Sequence, residues 1–430
     1  MKPGVIIFSF AVVILAVGHG SAQAGEGPRD ANTPVRLQDY LRLAAANNAG
    51  LKAEFEQWKA AAEQITQAKA LMDPQLTYER VVEQNQDKIG LMQMFPWFGE
   101  IRARTDAATA AADAANKRYE VKKLELFFKV KEAFHEYVYL ASAIRIATEN
   151  LGLLKHFEEV SLAKYITATA EHPDVIRAQV ELAKAQDDLK TLEQLREPIT
   201  AKLNALLNRQ SGQVLPWPEK ERFEVAKLNH QQVLEVLRRQ NPELQAIELD
   251  LAEARSRLEL AGRKSYPTMG AGIGWMDSGG SGSSMSGDED SLMLMFAANI
   301  PIWRENYKAG KFQAKAELRK ISHQKKDSEN SLLARAEQVL YELDDSVRKM
   351  KLYGDILIPK GLQLLGASEA AYKAGAIDFL SLIDAQQTLL NFQLQYERAL
   401  AENRQRLAEL EMLVGVDAST LATGTQETGK

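Results

Sequence analysis

The sequence predicts a mainly α protein that carries a membrane β-barrel. Three observations predict it. First, the runs TMGAGIGWM (268–276) and SLMLMFAANIP (291–301) alternate with a period of two, the mark of a strand with unlike faces. Met269, Ala271, Ile273 and Trp275 oppose Thr268 and three glycines; Leu292, Leu294, Phe296, Ala298 and Ile300 oppose Ser291, Met293, Met295 and Asn299. Each strand has about 9–11 residues, the length a tilted strand needs to cross a bilayer core. Second, helical patterns far longer than a compact core requires flank this hairpin. Third, the whole arrangement occurs twice.

The second occurrence follows from spacing. Asn48, Leu51, Ala53 and Pro74 recur as Asn241, Leu244, Ala246 and Pro267, at a constant offset of 193. Past the hairpin loop, Pro96 and Glu100 recur as Pro301 and Glu305 at offset 205, so the second loop is 12 residues longer. Tyr165, Ile176, Ala178 and Gln179 then match Tyr372, Ile383, Ala385 and Gln386 at offset 207, as Leu203 and Leu206 match Leu410 and Leu413. A period of roughly 200 residues is too long for a solenoid and indicates a duplicated domain half.

The N-terminus reads as a signal peptide over residues 1–24: Lys2, an apolar run VIIFSFAVVILAV (5–17) and a small-residue cleavage site AQA (22–24). The run is shorter than the ~20 residues a spanning helix needs. No later segment is apolar enough for a membrane helix. An exported chain with membrane strands and no membrane helix points to an outer membrane. The net charge of −5 argues against nucleic acid as a partner, and the absence of Cys excludes a disulfide scaffold, a thiolate metal site and a lipid-modified N-terminal Cys.

The first repeat spans 25–215. Leu37 to Asn47 and Gly50 to Leu71 are helices, the second stopped by Pro74; QLTYERVV (75–82) and KIGLMQMF (88–95) form hairpin 75–95. Alternation there is poorer, because Arg80 and Gln93 share the face of Leu76, Tyr78 and Leu91. A helical hairpin over 100–209 follows: a pillar from Glu100 to Ala163, a turn at 166–174 and a return helix from Val175 to Asn208. At ~1.5 Å per residue the pillar is on the order of 95 Å long, as in a coiled-coil shaft. Residues 216–241 form an irregular equatorial segment, with Pro216 and Pro218 blocking helix before Gln231 to Gln240 resumes it.

The second repeat spans 242–416: a helix Pro242 to Gly262, hairpin 268–301 with a polar loop at 277–290, and a helical hairpin over 304–416. Its pillar has kinks predicted at Gly354 and Pro359 and turns at KAGAID (373–378). On the return, Leu382, Leu389, Tyr396 and Leu410 form one seam and Ala385, Phe392, Ala399 and Leu413 a second, interrupted by Asn403 and Arg406. The tail 417–430 is small, polar and expected to be disordered.

Four strands per chain cannot close a barrel. Open edges in lipid leave backbone groups unsatisfied at several kcal/mol each, so copies of the chain must pool their strands. Two chains supply eight strands, whose interior side chains nearly fill; three supply twelve, with room for a pore. A hollow barrel on a ring of helical pillars is a conduit.

These features resemble the TolC-type outer-membrane efflux proteins over essentially the whole mature chain. The likeness rests on the duplication, the helix–hairpin–helix order, the corner QMFPWFGE (93–100) with its partner NIPIWREN (299–306), and the turn YKAGAIDFLSLIDAQQTLL (372–390). The resemblance implies a homotrimer with a twelve-stranded barrel in outer-membrane lipid, docked on a periplasmic adaptor and an inner-membrane pump. QMFPWFG is most similar to the heavy-metal branch. In this family acidic residues three apart close the periplasmic tip; the second matches Asp384, while the first is Ser381, which implies a less acidic gate. Asp378, Glu171 and Asp174 lie near the same end, where a threefold carboxylate ring would concentrate cations. Asp378 and Asp174 also precede helical runs, as capping residues do. The adaptor-contact tip is placed at Tyr165, Thr167, Tyr372 and Gly375.

Other chemistry has weaker support. Met92, Met94, Met269, Met276, Met285, Met293 and Met295 lie in or beside the strands; thioethers bind soft ions, but Met is also a flexible filler, which is the better reading. Glu132 and His135 make one Glu-x-x-His on what reads as a surface helix. GAGIG (270–274) lacks dinucleotide spacing, no nucleophile–base set is present, and no cofactor or resident metal is expected. Trp97, Phe98, Trp303 and Tyr307 sit at the strand-to-pillar corners, as interfacial aromatics or as packing. The predicted function is passive efflux, with heavy-metal cations as cargo. The rivals are a duct for drugs or a polypeptide, and a non-conducting periplasmic scaffold.

Overall fold

A computed structural model describes residues 34–82, 86–168, 171–219, 225, 228–277 and 291–417. The expected signal peptide, parts of the loops and the tail after Asp417 lie outside the described residues, as do Met285 and the acidic run 288–290. Helices α1 (Leu37–Asn47) and α2 (Ala49–Lys69) lead into strands β1 (Gln75–Val81) and β2 (Gln86–Phe95). Then come α3 (Glu100–Ile166), α4 (His172–Gln194), α5 (Arg196–Leu206), α6 (His230–Gln240) and α7 (Pro242–Arg263). Strands β3 (Thr268–Asp277) and β4 (Ser291–Asn299) follow. The chain closes with α8 (Arg304–Lys351), a π-helical turn (Leu352–Leu357), α9 (Ile358–Lys373) and α10 (Phe379–Val414).

Local chemistry sets these limits. Asn48 caps α2 by accepting a bond from the Leu51 N–H at 3.0 Å, and its amide donates to the Leu206 carbonyl at 3.0 Å. Asn241 does the same for α7, with the Leu244 N–H at 2.8 Å and the Leu413 carbonyl at 2.7 Å. Each asparagine therefore starts one helix and ties it to the end of another. The return helix expected over Val175 to Asn208 is in fact two, α4 and α5, divided at Leu195. Pro198 is the reason: it lacks an N–H for the Gln194 carbonyl and its ring crowds that carbonyl. The kinks expected at Gly354 and Pro359 take the form of the π turn. There Gly354 packs on the Tyr396 ring so closely that a Cβ would lie 2.9 Å from it.

The four strands form one antiparallel sheet in the order β1-β2-β3-β4, so the β2–β3 pairing joins the two hairpins. Register aligns Leu76, Leu91, Ile273 and Leu294 across the sheet, then Tyr78, Ile89, Trp275 and Leu292. These side chains lie on one face and no other described part of the subunit covers them: Leu76, Leu292, Leu294 and Phe296 are 72–82% exposed. The polar residues on that face are accommodated. Arg80 is 3.8 Å from Asp87, its cross-strand partner, and Gln93 donates to the Met72 carbonyl at 2.7 Å. On the opposite face methionines lie over glycines. A Cβ on Gly270 would meet the Met94 sulfur at 2.5 Å, and one on Gly90 the Met295 methyl at 2.5 Å, which is the filler role.

Three apolar cores hold the helical body. The first joins Tyr40, Phe134, Tyr137, Leu203 and Leu215; the second Val233, Leu237, Leu340, Leu410 and Leu413; the third Leu154, Phe157, Tyr372, Phe379 and Leu382. Leu382, Leu389 and Leu410 are buried along α10, as the predicted seam requires. Its polar interruptions are bonded: Asn403 donates to the Ser346 hydroxyl at 2.8 Å and Arg406 reaches Glu342 at 2.8 Å. The equatorial segment is pinned by Trp217, which stacks on Tyr137 with centroids 4.9 Å apart and lies under the Arg196 guanidinium. The Tyr137 hydroxyl donates to the Leu215 carbonyl at 3.0 Å.

One residue departs from its predicted setting. His135 is not on a surface helix face but buried, at 8% exposure. Only Glu132 of that pair faces solvent, bonded to Lys202 at 2.9 Å. Burial pushes the His135 imidazole down to about 3, and the cations Arg404 and Lys131 add to the effect. The unfolded chain takes up a proton near the ordinary histidine value of about 6.5, whereas the fold refuses it until far lower pH. Stability should therefore fall as pH drops below that value. His135→Gln should flatten the fall, which thermal unfolding between about pH 7.5 and about pH 4.5 would measure.

Candidate functional site

At the end of the body remote from the sheet, two helical turns come together: α3 into α4, and α9 into α10. The third core lies directly beneath them. Lys164 donates to the Tyr372 carbonyl, tying the end of α3 to the end of α9, and its ammonium sits 4.6 Å from the Tyr372 ring centroid. Gln386 bonds Asn150 between α10 and α3, and Gln387 donates to Glu181 on α4 at 3.1 Å.

The α9–α10 turn is a Schellman motif. The Gly375 N–H bonds the Tyr372 carbonyl and the Ala376 N–H the Ala371 carbonyl, with Gly375 at φ +76. Asp378 then caps α10: its carboxylate accepts from the Ser381 N–H at 3.0 Å and from the Ser381 hydroxyl at 2.6 Å. Those bonds hold the Asp378 carboxyl below the usual carboxylate range. Ser381 is therefore the partner of the cap. Asp384 lies one turn on, exposed on the same face, with no hydrogen bond or ion pair among the described residues.

On the other turn, Glu171 is the N-cap residue of α4 and makes no side-chain cap. Asp174 is not a cap, contrary to the expectation from its place before a helical run. It lies inside the first turn, because His172 and Pro173 already begin the helix. Burial pushes its carboxyl up, Arg177 opposes the shift, and the negative charges of Glu171 and Asp378 reinforce it. The fold thus brings Glu171, Asp174 and Asp378 within electrostatic reach of one another around Arg177 and Lys164.

Of the four tip residues, Tyr165, Thr167 and Gly375 are exposed, and Tyr165 lies 5.1 Å from the His172 ring. Tyr372 is the correction: at 2% exposure it belongs to the core, edge-on to Phe379 at 5.5 Å, and no partner can reach its ring in this packing. At the sheet end, Phe98 and Trp303 are 86% and 75% exposed. Trp97 instead stacks on Tyr266 at 5.3 Å and Tyr307 is half-buried, so the corner aromatics divide between outward display and packing.

Residues 233–416 match the family model described as outer membrane efflux protein. Over that stretch the chain is similar to the outer membrane efflux proteins. Among curated relatives it is similar to the cobalt-zinc-cadmium resistance protein CzcC of Cupriavidus metallidurans, at 21% identity over 94% of this chain and 97% of that one. Its fold is similar to that of two solved outer-membrane proteins. VceC of Vibrio cholerae has a TM-score of 0.74 at 17% identity, over 89% of this chain and 96% of that one. CusC has a TM-score of 0.74 at 15% identity, over 91% of this chain and 99% of that one. This likeness indicates an outer-membrane protein that extends into the periplasm and a passive channel, not an enzyme. Among the described residues no helix is long and apolar enough to cross a membrane, and no group of three or more His, Asp or Glu could hold a metal ion.

Sequence reasoning did not single out Arg177 or Lys164, the cations that face the tip carboxylates. They read as solvated helix charges, and only the meeting of the two turns gives them partners. The tip turn itself is testable. Gly375 has open space around it, so the cost of a side chain there is purely that of its left-handed backbone. Gly375→Val should destabilise the tip by ~1–2 kcal/mol and Gly375→Asn by clearly less, read as the rate of limited proteolysis across the α9–α10 turn.

Proposed function

We propose that the protein is the outer-membrane duct of a tripartite efflux assembly, a homotrimer that receives heavy-metal cations from an inner-membrane pump through a periplasmic adaptor. The observation that carries this reading is the sheet: an uncovered apolar face on four strands whose outer members, β1 and β4, each have one unpaired edge. Lipid satisfies no backbone groups, so three copies joined edge to edge into a twelve-stranded barrel are the economical solution. The repeats at 25–215 and 242–416, separated by the segment 216–241, would give the helical tube its near-sixfold regularity. The matching bonds of Asn48 and Asn241 support that duplication.

The tip then acts as the gate. Asp384 and Ser381 line its constriction, Glu171, Asp174 and Asp378 supply a surrounding negative field, and Tyr165, Thr167 and Gly375 offer the adaptor its contact. Heavy-metal cations as cargo are supported by the QMFPWFG corner and by the relative named as a cobalt-zinc-cadmium resistance protein.

Purified protein should open channels in planar bilayers, and its absence of channel events would favour a scaffold. Asp384→Ala should raise conductance and weaken block by multivalent cations; unchanged conductance removes Asp384 from the gate. A deletion strain should become sensitive to cobalt, zinc, cadmium or copper. Sensitivity confined to lipophilic drugs would move the cargo from metals to organic compounds.

A further inference from the structure

A second site lies at the opposite end of the body. Where α7 runs into β3 and β4 runs into α8, the chain leaves an open cleft of about 1040 Å³. Its walls carry Arg255 and Arg263 from α7 and Arg304, Lys308 and Lys311 from α8, with Tyr266 at the rim. The α8 cations are spaced i, i+4, i+7 and so share one helix face. Two of the five charges are matched inside the subunit: Arg263 by Glu259 at 3.1 Å and Lys308 by Glu305 at 2.6 Å. Arg255, Arg304 and Lys311 have no ion pair among the described residues. The start of α8 points the same way, since Trp303 at its N-cap offers no side-chain acceptor to the first-turn N–H groups.

The strands say which side the cleft opens on. Pro267 and Ile300, which both line it, continue the alternation that puts Met269 and Ala298 on the apolar face of the sheet. Ile300 is 68% exposed there. The cleft is thus the downward extension of the lipid-facing surface, at the level where strands give way to periplasmic helices. That is where the headgroups of the periplasmic leaflet lie.

We propose that this cleft holds the headgroup of an anionic phospholipid. The phosphodiester sits among Arg255, Arg304 and Lys311, and the acyl chains run up the apolar face past Ile300 and Phe296. Three unmatched positive charges favour a lipid with net negative charge over a zwitterionic one, since basic residues near a membrane surface attract anionic headgroups. The inference rests on the outer-membrane location and not on the cargo.

The test uses the full chain in detergent, given equal amounts of phosphatidylglycerol and phosphatidylethanolamine, with bound lipid read by native mass spectrometry. The wild type should retain phosphatidylglycerol in at least about fivefold excess. R255Q/R304Q/K311Q should bring the ratio near parity, while the charge-keeping R255K/R304K/K311R should preserve it. Equal retention of the two lipids by the wild type, or undiminished preference in the glutamine variant, overturns the proposal. Release of the lipid by millimolar inorganic phosphate would mark a free-anion site and also overturns it. So would a changed ion selectivity of the glutamine variant in planar bilayers, because it would place the cleft on the water-filled side.

Discussion

A strand edge exposed to hydrocarbon has nowhere to send its hydrogen bonds, and this constraint governs the molecule. The sheet satisfies it internally at three pairings, β1–β2, β2–β3 and β3–β4, the second of which joins hairpins more than 170 residues apart in the chain. It leaves the outer sides of β1 and β4 open. Because the apolar face is continuous across all four strands, the subunit cannot bury it by folding on itself. The helices on either side of each hairpin then have to follow the spacing of the strands. This is why α2, α3, α7 and α8 stand side by side beneath the sheet, each entering or leaving one strand.

The helical body meets a different demand. Helices this long are not stabilised by one central core, so three cores are strung along them and polar links fill the intervals. Asn403 with Ser346, Gln386 with Asn150 and Arg398 with Glu136 are links of this kind between helices. Such contacts favour a definite register over maximal burial, because an unpaired buried amide or carboxylate would be costly. At the tip the same logic gathers charges. Asp378 is committed to its cap, whereas Asp174 is pressed upward by burial and by its acidic neighbours. The proposed gate is therefore built from carboxylates in unlike states, one fixed by hydrogen bonds and one sensitive to the field around it.

Much of this architecture is legible in the residues alone. The period-two runs assign the two faces of β3 and β4 correctly, and the glycines fall opposite the apolar residues. Proline and asparagine mark most helix limits: Asn48, Asn241 and Pro242 each begin a helix, and Gly375 and Gly415 follow the ends of α9 and α10 at positive φ. His135 and Tyr372 are misread because each is judged by local sequence and decided by segments packed on it from elsewhere. Asp174, in contrast, misses the cap because His172 and Pro173 begin the helix before it, and Pro198 divides the return helix. His135 lies in a helix whose flanks look polar, yet burial strips its charge. Tyr372 reads as a turn residue, yet Phe379 and Lys164 enclose it.

The sequence by itself determined what depends on near neighbours: strand length and facing, and most helix limits. These follow from backbone geometry and from the side-chain period, which act over a few residues. Only the tertiary structure decided which charges meet. Arg255 and Arg304 are separated by a whole hairpin, as Lys164 and Tyr372 are by much of the chain, and their chemistry arises from proximity that no local period encodes. Burial and electrostatics act through space, so the environment of an ionisable group is settled only when distant segments are packed.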